Sequence, residues 1–167
     1  MEYMPRGTLR SLLFSSVLLD FNVSWGLGCE VVEAVAHAHS LNPPLIHRDI
    51  KPTNIMVDRF DRAKVLDFGI ARLMDEGSTR LTLAGSVLGT PEYMSPEQCA
   101  GVELTGQSDL YSMMVTLYYM LAGQPPHTGS TPIAVIRKII DDPSPPIRQF
   151  NPRIANPVAD ILVRGLA

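Results

Sequence analysis

The sequence predicts a mixed α+β fold that is mainly helical and carries one short β-hairpin. Apolar residues recur at helical spacing in several segments between residues 24 and 166. Within this helical pattern, residues 54–66 combine two short apolar runs with a polar turn, which is the pattern of a hairpin. With 167 residues, of which 46% are hydrophobic, the chain is long enough for one domain with a modest core.

Charge and cysteine content exclude several classes of protein. A net charge of −3 gives no basic surface for nucleic acid, and we expect no nucleic-acid partner. Cys29 and Cys99 lie in no metal-binding pattern, which favours a reduced, cytoplasmic chain. The longest apolar stretch, 110–122, is shorter than the roughly 18 residues that cross a bilayer, so we expect no membrane segment in this chain.

The first long helix is predicted over Ser24–Ser40, with Ser24 as its N-cap. Its apolar positions recur at helical spacing and are Leu27, Val31, Val32, Val35 and Ala38. His37 and His39 lie two positions apart and therefore point about 200° away from each other on a helix. We expect these two histidines not to share a metal ion. The segment Asn42-Pro43-Pro44 ends the helix.

The predicted hairpin follows a segment that is rich in polar and charged side chains. We predict one strand over residues 54–58, a turn over 59–62 and a return strand over 63–66. Because a hairpin brings its two ends together, Asn54 and Asp67 should lie side by side. Two oxygen ligands at this place suit a hard cation such as Mg²⁺ and the phosphates that it carries.

Four motifs, in this order and spacing, resemble the protein kinase family. They are His47-Arg48-Asp49 with Lys51 and Asn54, Asp67-Phe68-Gly69, the segment 89–97, and the segment 108–112 with the apolar helix that follows. In the family these correspond to the catalytic loop, the metal-binding motif, the end of the activation segment and the central helix of the lower lobe. The resemblance implies a partial protein-kinase-like fold, represented by its mainly helical C-terminal lobe.

The resemblance also implies chemical roles. Asp49 would orient a substrate hydroxyl and accept its proton, and Lys51 would neutralise charge on the transferring phosphoryl group. Asn54 and Asp67 would bind Mg²⁺. A lysine two positions after the aspartate resembles the serine/threonine-specific members of the family. The implied function is transfer of the ATP γ-phosphoryl group to serine or threonine hydroxyls of protein substrates.

Two further regions resemble the nucleotide pocket. Residues 1–8 resemble the kinase hinge, in which the backbone of Glu2 and Met4 would meet the adenine edge. An ordinary N-terminal strand is the alternative for this segment. Met56 resembles the floor of the adenine pocket, and a plain position in the hairpin core fits it equally well.

Regulatory and structural roles follow from the same resemblance. Residues 70–88 would form the activation segment, with Thr82 as the first candidate for phosphorylation and Arg48 as its phosphate partner. Solvated loop hydroxyls are the alternative for Thr82 and its neighbours. Thr90 would form a hydrogen bond within the catalytic loop. The remaining implied roles are structural: His47 and Phe68 for packing, Glu97 for an ion pair with a later arginine, and Asp109 for tethering the catalytic loop.

Three more helices are predicted after the activation segment. The first is capped by Ser108 and buried all round up to Gly123, and the second begins at Thr131-Pro132. The apolar stripe of the second helix is Ile133, Ile136, Ile139 and Ile140. The third helix covers Val158–Leu166 behind Asn156-Pro157. We expect His127, in the turn between the first two helices, to lie at the surface.

The predicted domain is a partial kinase catalytic domain, with residues 1–8 as hinge and 9–167 as an incomplete C-terminal lobe. The sequence contains no Gly-x-Gly-x-x-Gly loop, and we expect the upper lobe to be absent from it. The expected partner is that upper lobe, in the same longer chain, or another protein that covers the open face. The alternative function is a catalytically inactive, truncated kinase that acts as a binding or regulatory module.

Overall fold

The computed structural model describes residues 6–15, 19–68 and 90–167. The predictions for Glu2, Met4, Gly69 and Thr82 lie outside these residues. The described part consists of helices and one two-stranded antiparallel sheet, with three short 3₁₀ turns at residues 52–54, 91–93 and 147–149. In chain order the elements are α1 (Leu9–Ser15), α2 (Phe21–His39), β1 (Ile55–Val57), β2 (Ala63–Val65), α3 (Pro96–Ala100), α4 (Gly106–Ala122), α5 (Pro132–Asp141) and α6 (Asn156–Gly165).

Helix α4 is the centre of the core. It contacts α2, α6 and the 3₁₀ turn at residues 91–93. Most of its side chains are buried, including Val115, Tyr118 and Met120 at 1% exposure or less, as predicted for this apolar segment. The Pro-rich segment that follows α5 also attaches to α4, because the Tyr118 hydroxyl donates to the Pro145 carbonyl at 3.0 Å. Helix α4 is therefore held from several sides.

The first turn of α2 differs from the prediction. The helix begins at Phe21 because Asp20 is its N-cap, whose side chain accepts a hydrogen bond from the Asn22 N–H at 2.8 Å. Ser24, the predicted cap, lies inside the helix and is fully buried. Val32, one of the apolar residues at helical spacing, remains 38% exposed. The serine was misassigned because a small hydroxyl suits a cap and a tight helix interface alike.

The start of α4 is a second correction. Thr105 is the N-cap, and its side chain accepts from the Gln107 N–H at 3.3 Å. Ser108, the predicted cap, occupies the third helical position, where its hydroxyl accepts from the Thr105 N–H and closes a capping box. Asp109 stays in the first turn, where the helix dipole favours a carboxylate.

The hairpin is present, with the register Ile55↔Val65, Met56↔Lys64 and Val57↔Ala63. Glu30 of α2 accepts a hydrogen bond from the Ala63 N–H, which ties the start of β2 to the helix. On the other edge, Gly7 accepts from the Val57 N–H at 2.9 Å, next to a bridge between Thr8 and Met56. The segment before α1 therefore lies along the hairpin.

The last two helices lie where they were predicted, but parts of the prediction for their caps and buried faces are wrong. Thr131 caps α5 as predicted, accepting from the Ala134 N–H at 3.2 Å. The buried face of α5 is centred on Val135 and Ile139, whereas two members of the predicted stripe are more than half exposed: Ile133 (57%) and Ile140 (52%). Helix α6 begins at Asn156, and Ala155 occupies the cap position.

His127 corrects another prediction, because it is buried at 4% exposure instead of lying at the surface. Its Nε2 lies 3.4 Å from the Ser144 hydroxyl, within the segment that follows α5. Burial lowers the pKa of His127, and the opposing attraction of Asp142 is weaker than this effect.

In the described ranges, no helix has the length and apolar character needed to cross a bilayer.

Candidate active site

A buried aspartate fixes residues 47 and 48, which begin the predicted catalytic loop, to the start of α4. Asp109 is 1% exposed, and its Oδ2 accepts from the His47 N–H at 2.8 Å while Oδ1 accepts from the Arg48 N–H at 2.7 Å. The Nε2 of His39, at the end of α2, lies 2.8 Å from the same Oδ2. Three donors therefore satisfy a carboxylate that water does not reach.

The backbone on the N-terminal side of Asp49 is held in an unusual conformation. Arg48 has a φ of +68°, a left-handed value that is unfavourable for a residue with a side chain. Its carbonyl accepts a hydrogen bond from Gln98 Nε2 at 2.8 Å, and the next N–H, that of Asp49, donates to His47 Nδ1 at 3.2 Å. The surrounding contacts thus impose the direction in which the chain enters Asp49.

His47 connects this loop to the residue that precedes Asp67, one of the predicted metal ligands. Because a backbone N–H can only donate, the Nδ1 that accepts from Asp49 is unprotonated, and Nε2 carries the ring proton. Nε2 then donates to the Leu66 carbonyl at 2.8 Å, one residue before Asp67. The His47 ring is fully buried and lies 4.8 Å from the ring of Phe68, measured between centroids. One neutral imidazole therefore joins the two predicted parts of the site.

Three of the predicted catalytic side chains meet at one carboxylate oxygen. Asp49 Oδ2 lies 2.9 Å from Lys51 Nζ and 3.0 Å from Asn54 Nδ2. The same Nδ2 donates to the backbone carbonyl of Asp49 at 2.8 Å. About a third of the Asp49 side chain remains exposed (34%), so a substrate can reach it. The arrangement orients the carboxylate before any ligand binds.

The two predicted metal ligands lie at the ends of paired strands. The Leu66 N–H donates to the Asn54 carbonyl at 2.8 Å, which places Asp67 one residue from this pairing. Asn54 uses its Nδ2 on Asp49, and Asp67 is exposed with a left-handed φ of +56°. Across the described ranges, no three His, Cys, Asp or Glu side chains form a group that could hold a metal ion. A metal site here would use the Asn54 amide beside the Asp67 carboxylate.

The remaining predicted residues lie around this centre. Met56 is half-buried on β1, opposite Lys64. Thr90 is half-buried and extended before the 3₁₀ turn at 91–93, and its side chain does not cap that turn. Its hydrogen bond within the catalytic loop stays a prediction. Glu97 accepts a hydrogen bond from the Ser108 hydroxyl at 2.5 Å, which joins α3 to α4.

Two residues of the site escaped the sequence analysis. His39 was considered only as a metal ligand, although its ring contacts Asp109 across 70 positions of sequence. Gln98 belongs to none of the motifs that predict the site. A signal for Gln98 is present in the sequence, because Ser95-x-x-Gln98 is the pattern of a capping box. The contact of Gln98 with Arg48 depends on the tertiary fold and has no local signal.

Three titratable side chains in or near α3 and α4 are shielded from water: Tyr93 and Tyr111 are buried, and Cys99 is partly buried. Burial raises the pKa of the Cys99 thiol to about 11, with a smaller contribution from Glu97. Burial also raises the pKa of Tyr111 to about 12 and that of Tyr93 above its usual range. These groups stay neutral near pH 7. The segment after residue 90 therefore packs through these neutral side chains, beside the hydrogen bond of the Glu97 carboxylate with Ser108.

An acid, a lysine and an asparagine on one loop, beside a second acid after a hairpin, form the constellation of the protein kinases. The family described as "Protein kinase domain" matches residues 1–162. The chain belongs to the protein kinase family.

Curated relatives of this chain are named as serine/threonine-protein kinases. A probable serine/threonine-protein kinase of Streptomyces coelicolor is 36% identical over 99% of this chain and 24% of its own length. The kinase PrkC of Bacillus subtilis is 34% identical over 100% of this chain and 25% of its own length. PknB of Mycobacterium tuberculosis is 36% identical over 87% of this chain and 23% of its own length. The chain spans about a quarter of the length of these relatives.

Proposed function

We propose that this chain is the hinge and C-terminal lobe of a serine/threonine protein kinase, which transfers the γ-phosphoryl group of ATP to serine or threonine hydroxyls of protein substrates. The observation that carries the proposal is the meeting of Lys51 and Asn54 at Asp49 Oδ2, on a loop fixed by Asp109. The names of the relatives support the choice of serine and threonine over tyrosine.

Asp49 and Lys51 divide the chemistry of the transfer between them. The oxygen of the substrate hydroxyl forms a bond to the γ-phosphorus while the bond from that phosphorus to the β,γ-bridging oxygen breaks and ADP leaves. Asp49 orients the hydroxyl and accepts its proton. Lys51, already 2.9 Å from Asp49, provides positive charge beside the phosphoryl group. Asn54 keeps the Asp49 carboxylate from rotating, because it donates to both the side chain and the backbone of that residue.

The donor set fits Mg²⁺. Asn54 directs its amide nitrogen to Asp49, so its amide oxygen, which lies 3.5 Å from the Thr53 hydroxyl, would be the atom that binds a cation. Asp67 contributes an exposed carboxylate. Both are the hard oxygen donors that Mg²⁺ prefers in sites shared with substrate phosphates. When bound, Mg²⁺ would supply charge neutralisation for the β- and γ-phosphates. The His47 bridge from the Asp49 N–H to the Leu66 carbonyl would keep Asp67 in register with the catalytic loop.

We further propose that ATP lies along the edge of the hairpin. Glu2 and Met4 would offer backbone groups to the adenine, and Met56 would form the floor beneath it. The pairing of Gly7 and Thr8 with residues 56–57 supports this placement, because it brings the segment after residue 5 alongside Met56. Use of ATP is in keeping with the proposed cytoplasmic location. Phosphorylation of Thr82, with Arg48 as phosphate partner, is the proposed route of regulation.

The upper lobe is the proposed partner of the open face. The 167 residues contain no Gly-x-Gly-x-x-Gly loop for the phosphates, and the curated relatives are about four times as long. We therefore propose that the phosphate-binding parts belong to a longer natural protein. Residues 1–167 on their own should transfer no measurable phosphoryl group, since loss of one preorganised contact costs on the order of 10²- to 10³-fold and several are missing together.

The experiment is phosphorylation by the natural protein at its full native length, with radiolabelled ATP and Mg²⁺, followed by phosphoamino-acid analysis. The proposal predicts phosphoserine or phosphothreonine that disappears on addition of EDTA. Binding of a partner protein without any label transfer would favour the inactive binding module instead. Label transfer by residues 1–167 alone, abolished by Asp49→Asn, would refute the proposed need for an upper lobe.

A further inference from the structure

Gln98 contacts two different parts of the site region through the two ends of its carboxamide. Its side-chain Oε1 accepts a hydrogen bond from the Ser95 backbone N–H at 3.0 Å, and the Gln98 backbone N–H donates to the Ser95 hydroxyl at 3.3 Å. These two bonds are a capping box that starts α3. Its Nε2 points the other way and donates to the Arg48 carbonyl at 2.8 Å, across 50 positions of sequence.

The bond to Arg48 acts on the peptide plane that leads into Asp49. The carbonyl of this plane is held by Gln98 and its N–H, that of Asp49, is held by His47 Nδ1. The preceding plane is held by Asp109 through the Arg48 N–H. Since Arg48 has a left-handed φ of +68°, the loop would relax toward a more common conformation if one of these contacts were lost.

We infer that Gln98 is a positioning residue for the proposed kinase reaction: its amide N–H bond to the Arg48 carbonyl fixes the direction of Asp49. Because Gln98 also caps α3, the same side chain couples the segment after residue 90 to the catalytic loop. A displacement of Ser95 and α3 would withdraw the donor from Arg48 and turn Asp49 away from a bound hydroxyl. The kinetic consequence rests on the proposed function, whereas the effect on loop order does not.

Gln98→Glu isolates this role, because the two ends of the side chain can be separated chemically. A glutamate at this position still accepts from the Ser95 N–H and is a standard partner in a capping box. It has no N–H for Arg48 and would place a carboxylate oxygen against the carbonyl. The matched control is Ser95→Ala. It removes the hydroxyl that accepts from the Gln98 backbone N–H and leaves the hydrogen bond from the Gln98 side chain to the Arg48 carbonyl intact.

The first measurement is steady-state phosphorylation by the natural full-length protein. We expect Gln98→Glu to lower kcat about tenfold, which is the loss expected when one partly buried hydrogen bond is missing. The KM for ATP should stay within about twofold of the wild type. Ser95→Ala should leave kcat within about twofold. An equal loss in both variants would show that Gln98 only caps α3, and unchanged kcat in Gln98→Glu would overturn the inference.

The second measurement is hydrogen–deuterium exchange of the peptide that contains the Arg48 and Asp49 amides. We expect it to exchange about tenfold faster in Gln98→Glu and at the wild-type rate in Ser95→Ala. This result holds even if the wild-type protein transfers no phosphate, in which case the proposed function fails and the positioning role stands. Unchanged exchange refutes the inference. Should Gln98→Glu not fold, Gln98→Met is compared with Ser95→Ala by the same two measurements, although it removes the acceptor of the Ser95 N–H together with the donor to Arg48.

Discussion

Asp109 offers a quantitative test of how the catalytic loop is held. Its buried carboxylate is the acceptor for two backbone N–H groups at 2.8 and 2.7 Å and for the His39 ring at 2.8 Å. In Asp109→Asn one oxygen becomes an NH₂ group that faces a donor. In Asp109→Ala both backbone N–H groups lose their partner.

An unmet buried donor costs about 1–3 kcal/mol. Asp109→Asn should therefore lower the free energy of unfolding by about 1–3 kcal/mol, and Asp109→Ala by about 2–6 kcal/mol. The larger figure is a substantial fraction of the roughly 5–15 kcal/mol that stabilises a domain.

The assay is urea unfolding of the natural full-length protein at pH 7.5, with Asp160→Asn as control. Asp160 is an exposed aspartate on α6, and its replacement should change the unfolding free energy by less than about 0.5 kcal/mol. If Asp109→Asn is no more destabilising than Asp160→Asn, Asp109 does not hold the loop in the way the hydrogen bonds indicate.

Three other predictions concern groups around the same core. A Cβ on Gly106 would lie 2.9 Å from the His39 ring, so Gly106→Ala should destabilise the protein by about 1 kcal/mol. In a His39→Ala background this clash is absent, and the higher helix propensity of alanine should instead stabilise the protein by up to about 1 kcal/mol. Urea unfolding measures both effects, and an equal destabilisation in the two backgrounds would contradict the prediction. Burial lowers the pKa of His127, so the unfolded chain binds more protons than the folded chain below about pH 6.5. The urea midpoint should therefore decrease when the pH is lowered from 7.5 to 5.5, and the decrease should be smaller in His127→Gln. Burial raises the pKa of Cys99 to about 11, whereas Cys29 is exposed. At pH 8 iodoacetamide should therefore modify Cys29 at least about tenfold faster than Cys99, as measured by mass spectrometry. Equal rates for the two thiols would contradict the burial of Cys99.

The elements with strong local signals were predictable from the sequence. The hairpin has two short apolar strands around a polar turn, and its observed bounds fall within the predicted ones. Thr131-Pro132 gives the start of α5 because a cap followed by proline is a local pattern. The grouping of Asp49, Lys51 and Asn54 was also predictable, since the three lie within six positions of one another.

The errors arose where tertiary contacts decide between equivalent local patterns. Ser24 and Ser108 both have the chemistry of a cap, but Asp20 and Thr105 lie at the positions from which the helices start. His127 is polar and lies in a turn, which favours exposure, yet the segment after α5 covers it. Local sequence has no information on such covering segments.

The contacts between distant residues of the site could not be predicted from the sequence. The contact between His39 and Asp109 joins positions 70 apart, and that between Gln98 and Arg48 joins positions 50 apart. Neither pair has a spacing or composition that marks it. Both contacts depend on the tertiary fold, which brings the Asp109 carboxylate to the Arg48 N–H and the Gln98 side chain to the Arg48 carbonyl.

In the proposed kinase reaction, Asp49 accepts the proton of the substrate hydroxyl during phosphoryl transfer. The most direct measurement is the single-turnover rate of transfer from Mg·ATP by the natural full-length protein and its Asp49→Asn variant, with the Kd for Mg·ATP measured in parallel. Loss of a general base predicts a rate lower by about 10²- to 10⁴-fold, with a Kd within about twofold of the wild type. A transfer rate that survives Asp49→Asn, at equal nucleotide binding, would contradict the assignment.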